Sequence, residues 1–454
     1  MEFIHRKRIP FMQKDLRSFI DLIAGNNHLL TVEREVDPKF DIPAVMKAAE
    51  KTGKAILFKN VGKPGFRIIN NLLGDRKMLA LLFGTSQERV VVEWVKQVKN
   101  PVEPRIVGTG AVKEVIKKGK DVDLETLPIV THCSKDAGPF ITAGMVIAKD
   151  PETGIRNVSI NRMQLKGQDK LGIRMMPPQH LGMIHEKSEK LGKNLEIAVA
   201  IGNHPYEILS AATSVDFGID EFTLAGALHE DPLGLVKCET VDLEVPAYAE
   251  VVIEGEVLAG VREPEGPYGD FMQFYVPVMN NHVMKVKAIT HRRDPIYQTI
   301  QAGSLEDTHI LGLSREGIVY EAVSKVADVK AVCMVPTILN CMISIRKRSE
   351  TEPRDVASAA FGAYSWLKYC VVVDQDVNVF DVSDVWWAMA TRGRMDKAVL
   401  LKEEALGFPR DPFHIHQSKL GIDATAPLNQ WDEFERKKVP GEEAIRLEDF
   451  VSSF

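Results

Sequence analysis

The spacing of apolar residues changes twice along the chain, and each texture predicts its own elements. In the first stretch Leu16, Phe19, Ile20 and Ile23 recur at helical spacing, and a β-rich run from Leu29 to Val36 follows Gly25-Asn26-Asn27. Asp41 is placed to cap a helix with Pro43 in its first turn, and Ala55 to Phe58 reads as a buried strand. Thr85 with Glu88 resembles a capping box ahead of an apolar helix over Val90 to Val98. A small α/β domain is therefore expected over residues 1–112.

From residue 113 to 301 strand patterns take over: Ile141 to Ala148, Val158 to Leu165, Ile197 to Ile201, Val251 to Leu258 and Val283 to Thr290. Gly and Pro cluster between them, most densely from Glu263 to Gly269, and helix-like insertions such as His180 to Leu191 separate them. A barrel or folded sheet decorated with helices fits this order better than a regular βαβ series. Over 302–454 alternation returns. Helices are expected at Ile318 to Val326, Pro353 to Leu367 and Ser383 to Arg392, and strands at Ala331 to Val335, Leu339 to Ile345 and Cys370 to Asp374. The tail from Phe408, ending in Leu447 to Phe454, is of a kind that either packs on a partner subunit or frays.

Length agrees with a multidomain reading, since 454 residues exceed one ordinary core. A formal charge of −6 argues against a general nucleic-acid binder but leaves room for a local basic pocket around one phosphorylated ligand. No membrane span is expected: Ala357 to Val373 is broken by Ser358, Ser365 and Lys368. Met1 to Lys14 has no apolar run of signal-peptide length. Five widely spaced cysteines (Cys133, Cys238, Cys333, Cys341, Cys370) contain no CxxC, which points to reduced thiols in the cytoplasm.

Candidate chemistry begins with Glu265-Gly266-Pro267-Tyr268-Gly269-Asp270. A solvated turn would explain two nearby acids, but the glycines and proline can fix both at one cavity. A buried acid pair has its proton affinities pushed apart, which suits protonation of a carbanion-like centre. Upstream, strand alternation sets Asn157, Ser159 and Asn161 on one face and Val158, Ile160 and Arg162 on the other, unless a bulge redirects them. An arginine on an apolar face calls for a carboxylate or phosphate partner. His180 opens a helix-like segment, and Glu221 stands at a helix start, where the dipole alone would account for it. Together Asn157, His180 and Glu221 form a mixed oxygen and nitrogen set that suits Mn²⁺ or Mg²⁺. Gly108-Thr109-Gly110 lacks a dinucleotide fingerprint, His414-x-His416 lies in a polar tail, and Cys238 reads as a core thiol.

The ordered set Asn157-Val-Ser-Ile-Asn-Arg162, Pro177-Pro-Gln-His180, Asp220-Glu221-Phe222, Lys237-Cys-Glu-Thr240, Glu265-Gly-Pro-Tyr-Gly-Asp270 and Ala390-Thr-Arg392 resembles the UbiD-like decarboxylases, which use prenylated FMN, over nearly the full length. The resemblance implies that Asn157, His180 and Glu221 hold Mn²⁺ or Mg²⁺, usually with K⁺ nearby, on the flavin phosphate. It also implies that Ser159, Ile160, Arg162 and Gln179 line the flavin site. Arg162, Glu265 and Asp270 match the family's arginine and two acids, with Asp270 shorter by one methylene than the glutamate alternative. Asn161 replaces an aromatic residue, and Phe271-Met272-Gln273-Phe274 replaces a more polar stretch. Both departures bear on substrate identity.

The implied architecture is an N-terminal α/β domain, a central split β-barrel that binds the flavin, and a C-terminal α/β domain that mediates homodimers or homohexamers. The implied reaction is reversible non-oxidative decarboxylation of an aromatic, heteroaromatic or α,β-unsaturated acid, releasing CO₂, with a flavin prenyltransferase supplying the cofactor. A flavin carrier would need the metal grip without the acids. A metal-dependent hydrolase using His180 and Glu221 would work without flavin.

Overall fold

The computed structural model describes residues 15–413, 416–441, 445 and 450. Met1 to Lys14, His414 and most of Leu447 to Phe454 lie outside the described residues. The chain separates into two compact units, Met1–Glu321 with Cys333–Asn340, and Ala322–Val332 with Cys341–Phe454.

The first unit opens with the helix Leu16–Gly25, whose expected apolar stripe is buried. Asp15 caps it through a reciprocal pair of bonds with Ser18. Two other expected caps are not made. Asp41 is the first residue of its helix, behind Phe40, which sits at φ 70° and makes no side-chain cap bond. Thr85 and Glu88 form no box, because a single 3₁₀ turn at Gln87–Arg89, with no side-chain cap bond, precedes Val90–Val98. The strands Leu29–Glu35, Ala55–Asn60 and Arg67–Asn70 make one sheet, to which the distant Ile296–Gln298 adds itself parallel to Arg67–Asn70.

A second, nine-stranded sheet occupies the middle of this unit and curls into a half-barrel. Its strand Leu195–Ile201 is apolar on both faces. Period-two alternation sends Ile197, Val199 and Ile201 into one hydrophobic cluster and Ala198 and Ala200 into another. Each fully buried Ile or Val contributes roughly 1.5–3 kcal/mol relative to exposure, so the sheet is anchored from both sides. Its longest pair, Val251–Glu265 against Met279–His291, shifts register after Glu254. Gly255 occupies that shift, where a Cβ would stand 2.2 Å from the Lys285 carbonyl oxygen.

Two expected strands are each split. Ile141 to Ala148 divides into Phe140–Ile141 and Met145–Lys149, and Val158 to Leu165 into Arg156–Ile160 and Met163–Leu165. The second break frees Asn161 and Arg162 from strand parity, so Arg162 is not bound to the Val158 face. The expected helix Ile318 to Val326 is the end of a longer one, Leu305–Val323.

The second unit holds a five-stranded sheet ordered Asp328–Cys333, Asn340–Arg346, Tyr369–Asp374, His416–Ala424 and Val399–Leu406. Its longer helices are Glu352–Ala363 and Val382–Thr391, the second capped by Asp381. Arg392, from the Ala390-Thr-Arg392 motif, is buried between Asp374 and Asp376 at 2.8 and 2.7 Å and lies over the Trp387 ring. In the first unit the motif residue Thr240 has an equally local partner, since Glu254 accepts its N–H and hydroxyl.

Candidate active site

The break after Ile160 lets Arg162 leave the sheet, while Glu265 ends the long strand from Val251. Their side chains meet in two places, Arg162 Nε to Glu265 Oε1 at 3.2 Å and Nη2 to Oε2 at 3.3 Å. Glu265 is 1% exposed, so this contact is shielded from water. Asn281, diagonally across the strand pair, donates its amide to Glu265 Oε2 at 2.6 Å. The guanidinium also lies 4.6 Å from the centre of the buried Tyr268 ring.

Beyond Glu265 the chain turns at Gly266, whose φ of 95° suits only glycine and whose N–H is held by Gln164 Oε1 at 3.0 Å. Tyr268–Gly269 then pairs with Tyr275–Val276, and Asp270 opens the turn between them. Asp270 Oδ1 accepts the Phe271 N–H, and its Oδ2 faces Arg162 Nη1 at 3.8 Å. The turn is pinned from outside by Asp136, which accepts N–H groups from Gly269 and Cys133 at 2.9 and 2.8 Å. Burial raises the Asp136 proton affinity, while its N–H donors and the Arg162 charge pull the other way.

Asn157, five residues before Arg162, belongs to a separate cluster. Glu221, first residue of the helix Glu221–His229, accepts the Asn157 amide at 2.8 Å and the Val158 N–H at 2.6 Å. Burial pushes the Glu221 carboxyl up to about 8 despite those donors. Asn157 Oδ1 is buried and has no hydrogen-bond partner among the described residues. Asn157 and His180 line one narrow cleft, together with Asp150, Arg156, Phe217 and Ile219. His180 opens the helix His180–Lys190 with its ring edge-on to Phe217, and partial burial lowers its proton affinity. Ser159 bonds to Asn161 at 2.9 Å, Ile160 is partly buried, and Gln179 is exposed just ahead of the helix.

The structure thus brings Arg162, Glu265 and Asp270 together, and it joins Asn157 both to Glu221 and to the cleft that His180 lines. Sequence reasoning missed Asn281, Asp136, Gln164 and Tyr268 as supports. Tyr268 lies inside the Glu265–Asp270 motif, whereas the other three reach the site through contacts distant in sequence that spacing does not announce.

Family models match all three sections of the chain. The 3-octaprenyl-4-hydroxybenzoate carboxy-lyase N-terminal domain matches residues 20–98, the Rift-related domain 105–305 and the C-terminal domain 308–424. The chain belongs to the UbiD family of carboxy-lyases. It is 36% identical over 428 residues to the anhydromevalonate phosphate decarboxylase of Methanothermobacter thermautotrophicus, covering 93% of this chain and 99% of that one. The UbiD-class enzyme HmfF from Pelotomaculum thermopropionicum, solved with FMN, superposes with a TM-score of 0.90 at 41% identity, covering 96% of this chain and 100% of that one. An evolved dimeric form of HmfF was solved with prFMN and superposes at 0.86, with 40% identity over 97% of this chain and 100% of that one. The 3,4-dihydroxybenzoic acid decarboxylase of Enterobacter cloacae superposes at 0.88 with 28% identity, over 95% of this chain and 99% of that one. These UbiD matches agree with the α/β class and the curled central sheet expected of the chain.

Proposed function

We propose that this UbiD-family enzyme catalyses reversible, non-oxidative decarboxylation of an aromatic, heteroaromatic or α,β-unsaturated carboxylic acid with prenylated FMN. The observation that carries this reading is the shielded two-point contact of Arg162 with Glu265, with Asp270 at the open end of the same guanidinium. A flavin carrier would have no use for a proton donor fixed in that position.

The cofactor, when bound, supplies the electron sink for the C–CO₂ bond. Arg162 is held by Glu265 and Tyr268, which leaves Nη1 directed at Asp270 and the substrate space. Asp270 hands its proton to the carbon that loses CO₂, and in the reverse direction takes it back. Asn281 keeps Glu265 in register with Arg162. Phe271 to Phe274, in the turn that Asp270 opens, and Asn161, beside Arg162, shape the substrate pocket.

The second cluster fits a divalent ion. Asn157 Oδ1 is buried and unpartnered among the described residues, and the buried Glu221 carboxyl would need a cation beside it to ionise readily. His180, with its proton affinity lowered, presents a neutral nitrogen. Mn²⁺ or Mg²⁺ bound by Asn157, His180 and Glu221, with K⁺ nearby, would neutralise the flavin phosphate. Ser159, Ile160, Arg162 and Gln179 would line the rest of the flavin site. The five cysteines are all free, which suits a cytoplasmic enzyme. Its expected partners are a flavin prenyltransferase and copies of itself, as a homodimer or homohexamer.

Co-expression with a flavin prenyltransferase, followed by a carboxylic-acid screen for CO₂ release and H/D exchange, tests this. Turnover of an unsaturated or aromatic acid supports it. Protein that holds prenylated flavin yet processes nothing in a broad panel favours the carrier instead.

A further inference from the structure

The helix Leu305–Val323 begins with two acids, Glu306 and Asp307, neither of which the reaction described above uses. Glu306 serves the fold, since it is buried and accepts the backbone N–H groups of Asn71 and Leu72, each at 2.8 Å. Asp307 lies in a different setting. Its Oδ2 accepts the Gly303 N–H at 2.8 Å, and Gly303 lies against the Asp270 turn. Gln273 donates to the Gly303 carbonyl at 3.2 Å. Gly303, at φ 73°, has no room for a side chain, since a Cβ would stand 2.7 Å from Gln273 Cγ and 3.0 Å from the Phe271 oxygen. Gly303, whose N–H the Asp307 carboxylate accepts, is therefore packed directly against Phe271 and the Gln273 side chain of the turn that Asp270 opens.

We propose that Asp307 is a positioning residue that shares with Asp270 the proton delivered in the reaction. The inference rests on the reading of Asp270 as proton donor. Each turnover breaks a C–CO₂ bond and forms a C–H bond, so one proton leaves Asp270 and must be replaced from solvent. A second carboxyl coupled to Asp270 can hold that replacement.

The electrostatics agree with this placement. A helix N-terminus and an N–H donor both favour an ionised carboxylate. Asp307 nevertheless goes the other way, to about 7, because enclosure by protein and the Asp270 charge outweigh the Gly303 donor. The buried Tyr268 hydroxyl, beside Arg162, feels the charges of Arg162, Asp307, Asp270 and Asp136.

Two measurements test the proposal. In the reconstituted enzyme, D307N is expected to keep its flavin, to move the alkaline limb of the kcat profile to lower pH, and to cut turnover about tenfold at pH 7.5; D307E should restore the profile. An unmoved profile in D307N overturns the proposal. In flavin-free protein, infrared titration should show a carboxyl band that titrates near pH 7, is lost in D307N and moves to lower pH in D270N. A band unaffected by D270N overturns the coupling, and this readout holds even where D307N does not fold. If the wild-type enzyme turns over no acid, the proposed function falls, while the infrared result still decides the pair.

Discussion

Arg162 and Glu265 stand 103 residues apart in sequence, one in a break between two strands and one at the tip of the longest strand among the described residues, and they meet through two contacts of 3.2 and 3.3 Å. A lysine ammonium is a point charge and cannot reproduce a two-point contact. Arg162→Lys should therefore fold but lose about 100-fold in kcat, the order seen when one oriented charge-stabilising donor is removed. Arg162→Ala should in addition cost about 3–5 kcal/mol, because it leaves Glu265 buried without its cation. Steady-state kinetics and urea titration separate the two effects.

Asn281 makes no contact that its local sequence announces, yet it holds Glu265 Oε2 at 2.6 Å. Asn281→Leu keeps the branched shape and removes the donor. It should destabilise the protein by about 1–3 kcal/mol and lower kcat with little change in flavin content. A variant that loses stability but retains full kcat would show that Asn281 serves the fold alone.

Glu221 and Glu306 both carry carboxyls raised to about 8 by burial. Each folded-state proton affinity lies above its unfolded value, so the folded chain binds more protons than the unfolded chain between these values. Their contribution is complete below the unfolded value near 4.5 and is lost as pH rises towards 8. Flavin- and metal-free protein should lose up to a few kcal/mol across this window. Glu221→Gln should flatten the slope, and Glu221→Ala should also lose metal and flavin, read by metal analysis and flavin absorbance.

Much of this was legible before the structure because it is local. The stripe Leu16, Phe19, Ile20, Ile23 and the doubly apolar Leu195–Ile201 follow from periodicity, and the Gly-Pro frame of Glu265 and Asp270 follows from turn chemistry. What failed was local too. The Asp41 and Thr85 caps looked right in sequence, but tertiary packing supplied other helix starts. The break after Ile160 left only an indirect trace, an arginine out of place on an apolar face, and it is this break that brings Arg162 to Glu265. Asp136, Gln164, Asn281 and Asp307 reach the site only through long-range contacts, for which spacing holds no signal.

The central claim is that Asp270 delivers the proton, and Asp270→Asn in the reconstituted enzyme tests it most directly. The amide keeps the turn's size and its oxygen acceptor for the Phe271 N–H. Flavin and metal content should match the wild type while CO₂ release and H/D exchange fall at least 100-fold. Full turnover in Asp270→Asn would contradict the account.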